Sequence, residues 1–286
     1  MLSINPTDIS TVKLHGYLLS AIAPRPIAFA STIDVDGNPN LSPFSFFNVF
    51  SANPPILIFS PARRVRDNTT KHTLENAKST KEVVINMVNF DIVQQMSLAS
   101  TEYAQGVNEF EKAGFTMLKS DKVKPFRVAE SPIQFECKIN EIVELGSEGG
   151  AGNLIICEVV KLHIKKEFLN EDSSINQQKL DLVARAGGSL YSRAKDGFFE
   201  IPKPLSTLGV GVDSIPLEIR NSDVLTGNDL GKLGNIDEIP SQVDVDKFAK
   251  EHLNNVGDNR VKKHTFAKEF LEKNDVISAW KALLMK

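Results

Sequence analysis

The sequence predicts a mainly β fold built on an antiparallel sheet, with peripheral helices and a C-terminal extension. Residues 133 to 139, IQFECKI, alternate strictly between apolar and polar side chains, as in a strand with one face in water. The turn Asp36-Gly37-Asn38 separates two extended runs, which is typical of a hairpin. Strands do not alternate with long helices, which disfavours a doubly wound parallel sheet.

The other elements are predicted in chain order from shorter patterns. PPILIFS (residues 54 to 60) predicts a short buried strand, KEVVINMV (81 to 88) a second strand, and NLIICEVVKLHI (153 to 164) a partner for the alternating strand. Three helical segments are also expected. They are TTKHTLENAKST (69 to 80) with a threonine cap and with Leu74 and Ala77 facing inward, DIVQQMSLAS (91 to 100) with an Asp91–Gln94 capping box, and EFEKAGF (109 to 115), ended by Gly114.

The composition changes near residue 200. Residues 205 to 286 are turn-rich and then helical, so we expect a domain over residues 1 to 204 followed by an extension over 205 to 286. The turn-rich part looks too irregular to hold a core of its own. We therefore expect the extension to pack on the preceding domain or on a partner subunit.

Charge and composition exclude several classes of protein. A net charge of -3 provides no basic excess for nucleic acid, and no stretch approaches the roughly 18 apolar residues of a membrane span. The two cysteines imply no disulfide framework, and they have no metal-ligand spacing to the five histidines. Structural roles are therefore expected for Cys137, Cys157 and four of the histidines (His15, His163, His252 and His264). The expected location is a reducing cytoplasm.

Two stretches are candidates for a binding site. FSPARRVRDNTTKH (59 to 72) places arginines, a lysine and hydroxyls where a strand ends and a helix begins; this suits a phosphate monoester, or else a solvated charged loop. SPFSFFNVFSANPP (42 to 55) is suited to a planar heterocycle with a polar edge, or else is a core strand meeting a turn. The glycine-rich GSEGGAGN (146 to 153) is followed by a strand, which indicates a hairpin loop and not a phosphate cradle. No nucleophile elbow is present.

These stretches together resemble a known family. PRPIAFASTIDVDGNPNLSPFSFFNVFSANPPILIFSP, TKHTLENAKSTKEVVINMV, GVNEFEKAGFT, VAESPIQFECKI and ARAGGSLY occur in this order over about residues 20 to 200. The set resembles the flavin-reductase-like FMN-binding split-barrel family. The resemblance implies a six-stranded antiparallel split barrel, a homodimer, and FMN in a groove at the subunit interface.

The resemblance also implies roles for individual residues. Lys71 and Thr73 match a Lys-Asp-Thr element of the phosphate pocket, with His72 in place of the aspartate. Arg63 and Arg64 would lie on the phosphate side, and Ser60 near the ribityl chain. The residues implied at the isoalloxazine are Ser45, Phe46, Phe47 and Asn48, approached from the first hairpin by Ser31 and Thr32. Arg185 and Tyr191 would border the nicotinamide.

The function implied by the resemblance is hydride transfer from NAD(P)H to flavin and then to an unidentified acceptor. No acid or base residue is needed from the protein, because the chemistry belongs to the cofactor. One alternative is a protein that binds FMN or carries electrons without efficient NAD(P)H oxidation. Another is oxidase chemistry of the pyridoxamine-phosphate-oxidase kind, although its sequence hallmarks are absent. A barrel that has lost flavin is disfavoured by the phosphate-like cluster.

Overall fold

A twisted antiparallel sheet dominates this computed structural model, which describes residues 1 to 201, 208 to 257 and 259 to 285. The strands in these ranges are, in chain order, β1 (Ala28–Ile33), β2 (Pro39–Phe44), β3 (Phe47–Ala52), β4 (Pro55–Phe59), β5 (Glu82–Asn86), β6 (Met117–Leu118), β7 (Arg127–Val128), β8 (Ile133–Glu144), β9 (Asn153–Ile164), β10 (Val183–Arg185) and β11 (Tyr191–Arg193).

Seven of these strands form one sheet in the order β2-β1-β5-β8-β9-β4-β3, and every ladder is antiparallel. The predicted antiparallel mainly β fold is therefore confirmed. The predicted number of six strands is wrong. Between the described residues of β2 and β3, which lie at the two ends of the sheet, no ladder closes the barrel. Two small hairpins, β6-β7 and β10-β11, complete the strand pairing.

The hairpin of β1 and β2 forms as its turn residues predict. The Asp34 carboxylate accepts hydrogen bonds from the backbone N–H groups of Asp36 and Asn38, at 3.0 and 2.8 Å. Gly37 has a φ of 89°, a conformation that residues with a Cβ rarely adopt. This turn fixes the register in which Ser31 pairs with Leu41, and therefore which side chains of β1 face each side of the sheet.

The sheet separates two apolar cores because successive side chains of a strand point to opposite faces. Ile27 and Phe29 pack on one side with Leu41 and Phe110. The core on the other side, which is closed by residues of the first helix after β4, contains Ala28, Ala30, Phe44, Phe59, Leu74, Ala77, Ile155, Cys137 and Cys157. Both cysteines are buried and free, as predicted.

The α-helices before residue 200 are α1 (Thr11–Ala21), α2 (His72–Thr80), α3 (Val93–Leu98), α4 (Glu109–Ala113) and α5 (Gln177–Leu180). The predicted threonine cap of α2 is wrong, since Lys71 occupies the N-cap position and its side chain makes no capping hydrogen bond. The predicted Asp91–Gln94 capping box is also wrong. Asp91 lies inside a 3-10 turn, so α3 begins two residues later, after Ile92.

The predicted wet face of β8 is partly wrong. Lys138 is exposed, but Gln134 and Glu136 are buried. The segment between α4 and β8 covers them, and the Glu136 carboxylate accepts hydrogen bonds from the backbone N–H groups of Asp121 (2.9 and 3.1 Å) and Lys122 (2.6 Å). Burial of these polar side chains is acceptable because the covering backbone satisfies them.

The chain divides into two compact units, Met1–Phe199 and Glu200–Lys286. The second contains α6 (Leu217–Arg220), α7 (Gly227–Gly234), α8 (Gln242–Val256), α9 (Arg260–Glu272) and α10 (Val276–Leu284). Its turn-rich part was not expected to hold a core alone. In the structure Ile215, Ile219 and Leu225 share an apolar core with the last helices, including the fully buried Trp280. Packing of the extension on the first unit or on a partner remains a prediction.

Candidate functional site

The loop between β4 and α2 carries the predicted phosphate residues. Its chain reverses at Asn68, which has a φ of 57° and whose N–H donates to the Arg64 carbonyl at 2.9 Å. The β8–β9 hairpin loop lies directly against it, since the N–H of Arg63 donates to Ala151 and the N–H of Gly150 donates back to Arg63. The glycine-rich segment is therefore a hairpin loop, as predicted, and it supports the arginine loop.

The two predicted arginines already have protein partners. The Arg63 guanidinium donates to the side chain and the carbonyl of Asn68, at 2.7 and 2.9 Å. Arg64 donates to Glu102 at 3.0 Å and to Thr69 and Thr70 at 2.8 and 2.6 Å. Both guanidinium groups are held in fixed positions, and the charge of Arg64 is partly balanced by Glu102.

Lys71 differs from these arginines because its ammonium has no hydrogen-bond or ion-pair partner among the described residues. Its side chain is half-buried, and burial lowers the pKa of its ammonium. The neighbouring Arg64 guanidinium lowers this pKa further, and the Glu102 carboxylate partly offsets both effects. Lys71 is the N-cap of α2, and the backbone N–H groups of the next two residues, His72 and Thr73, donate to no other described group. The lysine and the helix terminus place one ammonium and two backbone N–H donors close together.

A small cavity of about 20 Å³ lies beside this ammonium. The residues that line it include two cations, Arg64 and Lys71, and two carboxylates, Glu102 and Glu109. The other lining residues are Asn40, Ser42, His72, Thr73, Ala99, Ser100, Thr101 and Tyr103. This space admits about one water molecule or one oxygen atom of an anion.

Thr73 and Thr32 lie in a buried polar network behind the same helix terminus. The Thr73 hydroxyl donates to the Asn40 side-chain oxygen at 2.7 Å, and the Thr32 hydroxyl approaches the same oxygen at 3.4 Å. Asn76 donates to the Thr32 hydroxyl at 3.1 Å, and Asn40 donates to Glu109 at 2.9 Å. The Thr73 hydroxyl therefore points into the protein, and its backbone N–H has no acceptor among the described residues.

The side chains of Ser31 and Thr32 lie on different sides of the sheet. As neighbours on β1 they point to opposite sides of the sheet. The Ser31 hydroxyl is fully buried and has no hydrogen-bond partner among the described residues. The structure therefore does not bring these two hydroxyls together against one ring.

The predicted isoalloxazine residues lie on the turn from β2 to β3 and on β3 itself. The Phe46 carbonyl accepts from the N–H of Ser60 at 2.8 Å, which connects this turn to the start of the arginine loop. The Ser60 hydroxyl is buried and accepts from the N–H of Asn153 at 2.9 Å. Phe47 packs against the core that contains Phe44 and Phe59. Asn48 is exposed, and its amide oxygen accepts from the adjacent N–H of Val49 at 2.8 Å.

Arg25 connects Ser45 to Arg185. The buried Arg25 guanidinium donates to the Ser45 hydroxyl at 3.4 Å and to the Ala186 carbonyl at 3.2 Å, and the backbones of Arg25 and Arg185 pair with each other. Burial lowers the Arg25 pKa, and the charge of Arg185 lowers it further. Arg185 itself donates to Leu190 and lies over the Tyr191 ring, 4.6 Å from its centroid.

Several members of this site escaped the sequence analysis: Arg25, Asn40, Asn76, Glu102 and Glu109. They come from separate elements and meet only in the folded chain. Arg25, Asn40, Asn76 and Glu109 lie within segments quoted in the sequence analysis, but no role was assigned to them there. Nothing in the sequence marks Glu109 as the partner of Asn40, 69 residues before it.

A second polar cluster surrounds His163, for which a structural role was expected. Its Nε2 lies 2.6 Å from the Glu136 carboxylate, and Asp121 is close enough that the three could surround a metal ion. Burial acts to raise the Glu136 pKa, but hydrogen bonds from Asp121 N–H, His163 and Lys122 N–H outweigh it and leave the pKa below its usual value. The Lys161 ammonium lies 3.4 Å from the Asp121 carboxylate and forms an ion pair with it. Each of the three side chains therefore has a partner within the protein.

The antiparallel sheet with its surrounding helices defines the fold of a split-barrel protein. The model of the flavin reductase like domain matches residues 20–180, which is more than half of the chain. The protein therefore belongs to the flavin reductase like domain family. The second unit lies beyond that match.

Individual relatives agree with this assignment. An uncharacterised protein of Aquifex aeolicus (strain VF5) is 38% identical over 191 residues, which are 67% of this chain and 94% of the relative. Component B of nitrilotriacetate monooxygenase from Bacillus cereus superposes with a TM-score of 0.66 at 28% identity, covering 70% of this chain and 98% of that one. A candidate flavin reductase with a split barrel domain, from Shewanella frigidimarina NCIMB 400, superposes with a TM-score of 0.60 at 26% identity, covering 71% and 100%.

Among the residues that the structure describes, no helix has both the length and the apolar character needed to span a membrane.

Proposed function

We propose that this protein is an FMN-dependent oxidoreductase of the flavin-reductase type, which takes hydride from NAD(P)H and passes electrons to a further acceptor. The observation that carries the proposal is the half-buried Lys71 ammonium, which no described residue pairs. An unpaired, partly desolvated cation costs stability, which is explained if its partner is a ligand anion.

The chemistry of this pocket fits a phosphate monoester. Lys71 provides a charge, and the N–H groups of His72 and Thr73 provide donors with the positive end of a helix behind them. Arg64 adds charge beside Lys71, although its donors serve Glu102, Thr69 and Thr70. This donor set favours FMN over riboflavin, which lacks the phosphate.

The turn at Ser45, Phe46 and Phe47 is the proposed ring-binding end. It is connected to the arginine loop by the hydrogen bond between Ser60 and Phe46, so both proposed ends of the cofactor site belong to one continuous piece of structure. Arg25 fixes Ser45 relative to Arg185 and Tyr191, which we propose border the nicotinamide. Asn48 remains a candidate for the polar edge of the ring.

Bound FMN would supply the redox chemistry, by accepting a hydride from a nicotinamide and releasing electrons to the acceptor. The chain's own residues contribute binding and orientation. Lys71 and the start of α2 hold the phosphate, and the β2–β3 turn positions the ring. No side chain of the protein is required as a proton donor or acceptor.

The proposed partners are NAD(P)H and a second copy of this chain. The B. cereus relative is named as the B component of a monooxygenase, so a partner oxygenase is one proposed acceptor. The alternative function is FMN binding or electron transfer without efficient NAD(P)H oxidation. It is favoured by Arg185, whose guanidinium is already engaged by the Leu190 carbonyl and the Tyr191 ring.

Two measurements test the proposal. The absorption spectrum of the purified protein, with titrations of FMN, FAD and riboflavin into the apoprotein, tests the cofactor; we expect FMN to bind most tightly, and equal dissociation constants for FMN and riboflavin would overturn the phosphate assignment. Mixing the holoprotein with NADH or NADPH without oxygen tests the reaction. Rapid bleaching of the flavin absorbance is expected, and a flavin that stays oxidised would support the carrier alternative.

A further inference from the structure

Against the first turn of α2 lies a continuous chain of buried polar side chains: Thr32, Asn40, Thr73, Asn76 and Glu109. Three of them, Asn40, Thr73 and Glu109, also line the small cavity beside Lys71. They come from β1, β2, α2 and α4, and hydrogen bonds of 2.7 to 3.4 Å connect them. Buried networks of this kind are costly unless every member is satisfied, so their geometry is tightly determined.

Glu109 determines the direction of every bond in the network. Its two carboxylate oxygens accept from the Asn40 amide at 2.9 Å and from the backbone N–H of Leu41 at 3.0 Å. A carboxylate can only accept, so the nitrogen of Asn40 faces Glu109 and its oxygen faces the threonines. The Thr73 hydroxyl must then donate to Asn40, which fixes the first turn of α2 against the sheet.

This arrangement replaces an ordinary helix cap. Most caps use a side-chain oxygen to accept the first backbone N–H groups of a helix, which removes those groups from any ligand. In α2 the N-cap residue Lys71 makes no such bond, and the first turn is instead held from behind by Thr73. The N–H groups of His72 and Thr73 are thereby left available in front.

We propose that Glu109 is a positioning residue for phosphate binding: through Asn40 and Thr73 it holds the start of α2, with its free N–H groups and Lys71, in the orientation that receives the cofactor phosphate. This inference rests on the proposed function. Burial raises the pKa of the Glu109 carboxyl, and the hydrogen bonds from Leu41 and Asn40 partly offset that effect. Both oxygens face donors, so the ionised form is the one that fits.

The test is the substitution Glu109→Gln, read as a ratio of two affinities. The glutamine NH₂ must face either the Asn40 amide nitrogen or the Leu41 N–H, which opposes a donor with a donor. Turning Asn40 over to relieve this would reverse its bonds to Thr73 and Thr32, so that both hydroxyls accept from the Asn40 amide and the contact that holds the first turn of α2 is rearranged. We expect the FMN dissociation constant to rise about tenfold while that of riboflavin changes by less than about twofold, because only FMN uses the start of α2.

The matched control is Glu111→Gln. Glu111 is an exposed carboxylate on the same helix, and the Asn108 amide donates to it at 3.0 Å. It should leave both affinities unchanged. If Glu109 has only a structural role, Glu109→Gln will lower the melting temperature of the apoprotein and leave the FMN-to-riboflavin ratio at the wild-type value, which would overturn the inference.

A second variant covers the case in which Glu109→Gln does not fold. Thr73→Val keeps the shape of the side chain but removes the hydroxyl that Asn40 holds, and Thr73→Ser restores it. Valine should lower the ratio of FMN affinity to riboflavin affinity, and serine should restore it. An unchanged affinity ratio in the valine variant contradicts the inference. A wild-type protein that binds FMN and riboflavin equally would instead refute the phosphate site, and the inference with it.

Discussion

Replacing Lys71 by methionine should have opposite effects on stability and on cofactor binding. Methionine retains most of the apolar stem and removes the ammonium that no described residue pairs. In the apoprotein the change relieves the desolvation of a half-buried charge, so we expect stability to rise by about 1 kcal/mol or less. For a unit of this size that corresponds to an increase in melting temperature of at most about 4 °C.

The same change should weaken FMN. A charge-assisted hydrogen bond to a partly buried phosphate is worth roughly 1.5–3 kcal/mol, so the FMN dissociation constant should rise about 10- to 150-fold. Riboflavin should be unaffected, and the salt dependence of FMN binding should decrease because one cation has been removed. Calorimetric titrations, with FMN titrated at several salt concentrations, give the two dissociation constants and the salt dependence of FMN binding. Thermal melts of the apoprotein give the change in stability.

Lys78→Met is the matched control, since Lys78 lies on the same helix and pairs with Glu144 at 2.7 Å near the surface. It should leave FMN affinity unchanged and alter stability by less than about 1 kcal/mol. Equal losses of FMN and riboflavin affinity in Lys71→Met, or a less stable apoprotein with normal FMN binding, would show that Lys71 has a structural role and does not contact phosphate.

Three further predictions follow from other parts of the structure. Asn48→Leu should shift the reduction potential of the bound flavin and weaken FMN by roughly 1–3 kcal/mol if its amide meets the ring; equal destabilisation of apo and holo protein with an unchanged potential would restrict Asn48 to its local bond with Val49. Glu136 has a folded-state pKa below its unfolded value, so it stabilises the protein above about pH 4.3 and that contribution is lost as pH falls through the folded pKa. Glu136→Gln should therefore be less stable at pH 7 and show a shallower loss in acid, measured by denaturant unfolding, whereas an unchanged pH profile would contradict this. Light scattering of the holoprotein should give about twice the 31.5 kDa chain mass, and a strictly monomeric holoprotein would exclude a cofactor groove shared between subunits.

The strands could be predicted because their signals are local. Alternation in IQFECKI and the Asp36-Gly37 turn depend on neighbouring residues, and both elements form as expected. Burial of Gln134 and Glu136 could not be predicted, because it depends on a segment about 15 residues away that folds back over the strand and supplies backbone donors.

The candidate site could likewise be predicted only where its sequence signals are local. The basic loop and its helix were visible as a run of charges before a helical pattern, so Lys71 and Arg64 were identified. The sequence did not show which of the two has a protein partner, because that depends on distant contacts. Arg64 pairs with Glu102, 38 residues further on, whereas the Lys71 ammonium has no partner among the described residues. Caps were predicted wrongly for a related reason: the start of α2 is held by Asn40 on a distant strand, and no residue adjacent in sequence reveals that contact.

The buried Trp280 gives the second unit its own optical signal. It is the single tryptophan of the chain, and its indole N–H donates to the Leu233 carbonyl at 2.9 Å inside a core made only of residues after 200. Indole fluorescence will therefore report the unfolding of that unit, while flavin absorbance in the holoprotein will report the first. If the two signals change at different denaturant concentrations, the units unfold independently and one free energy of unfolding does not describe the chain. Energy transfer from the indole to the flavin would then give the distance between the two units in solution.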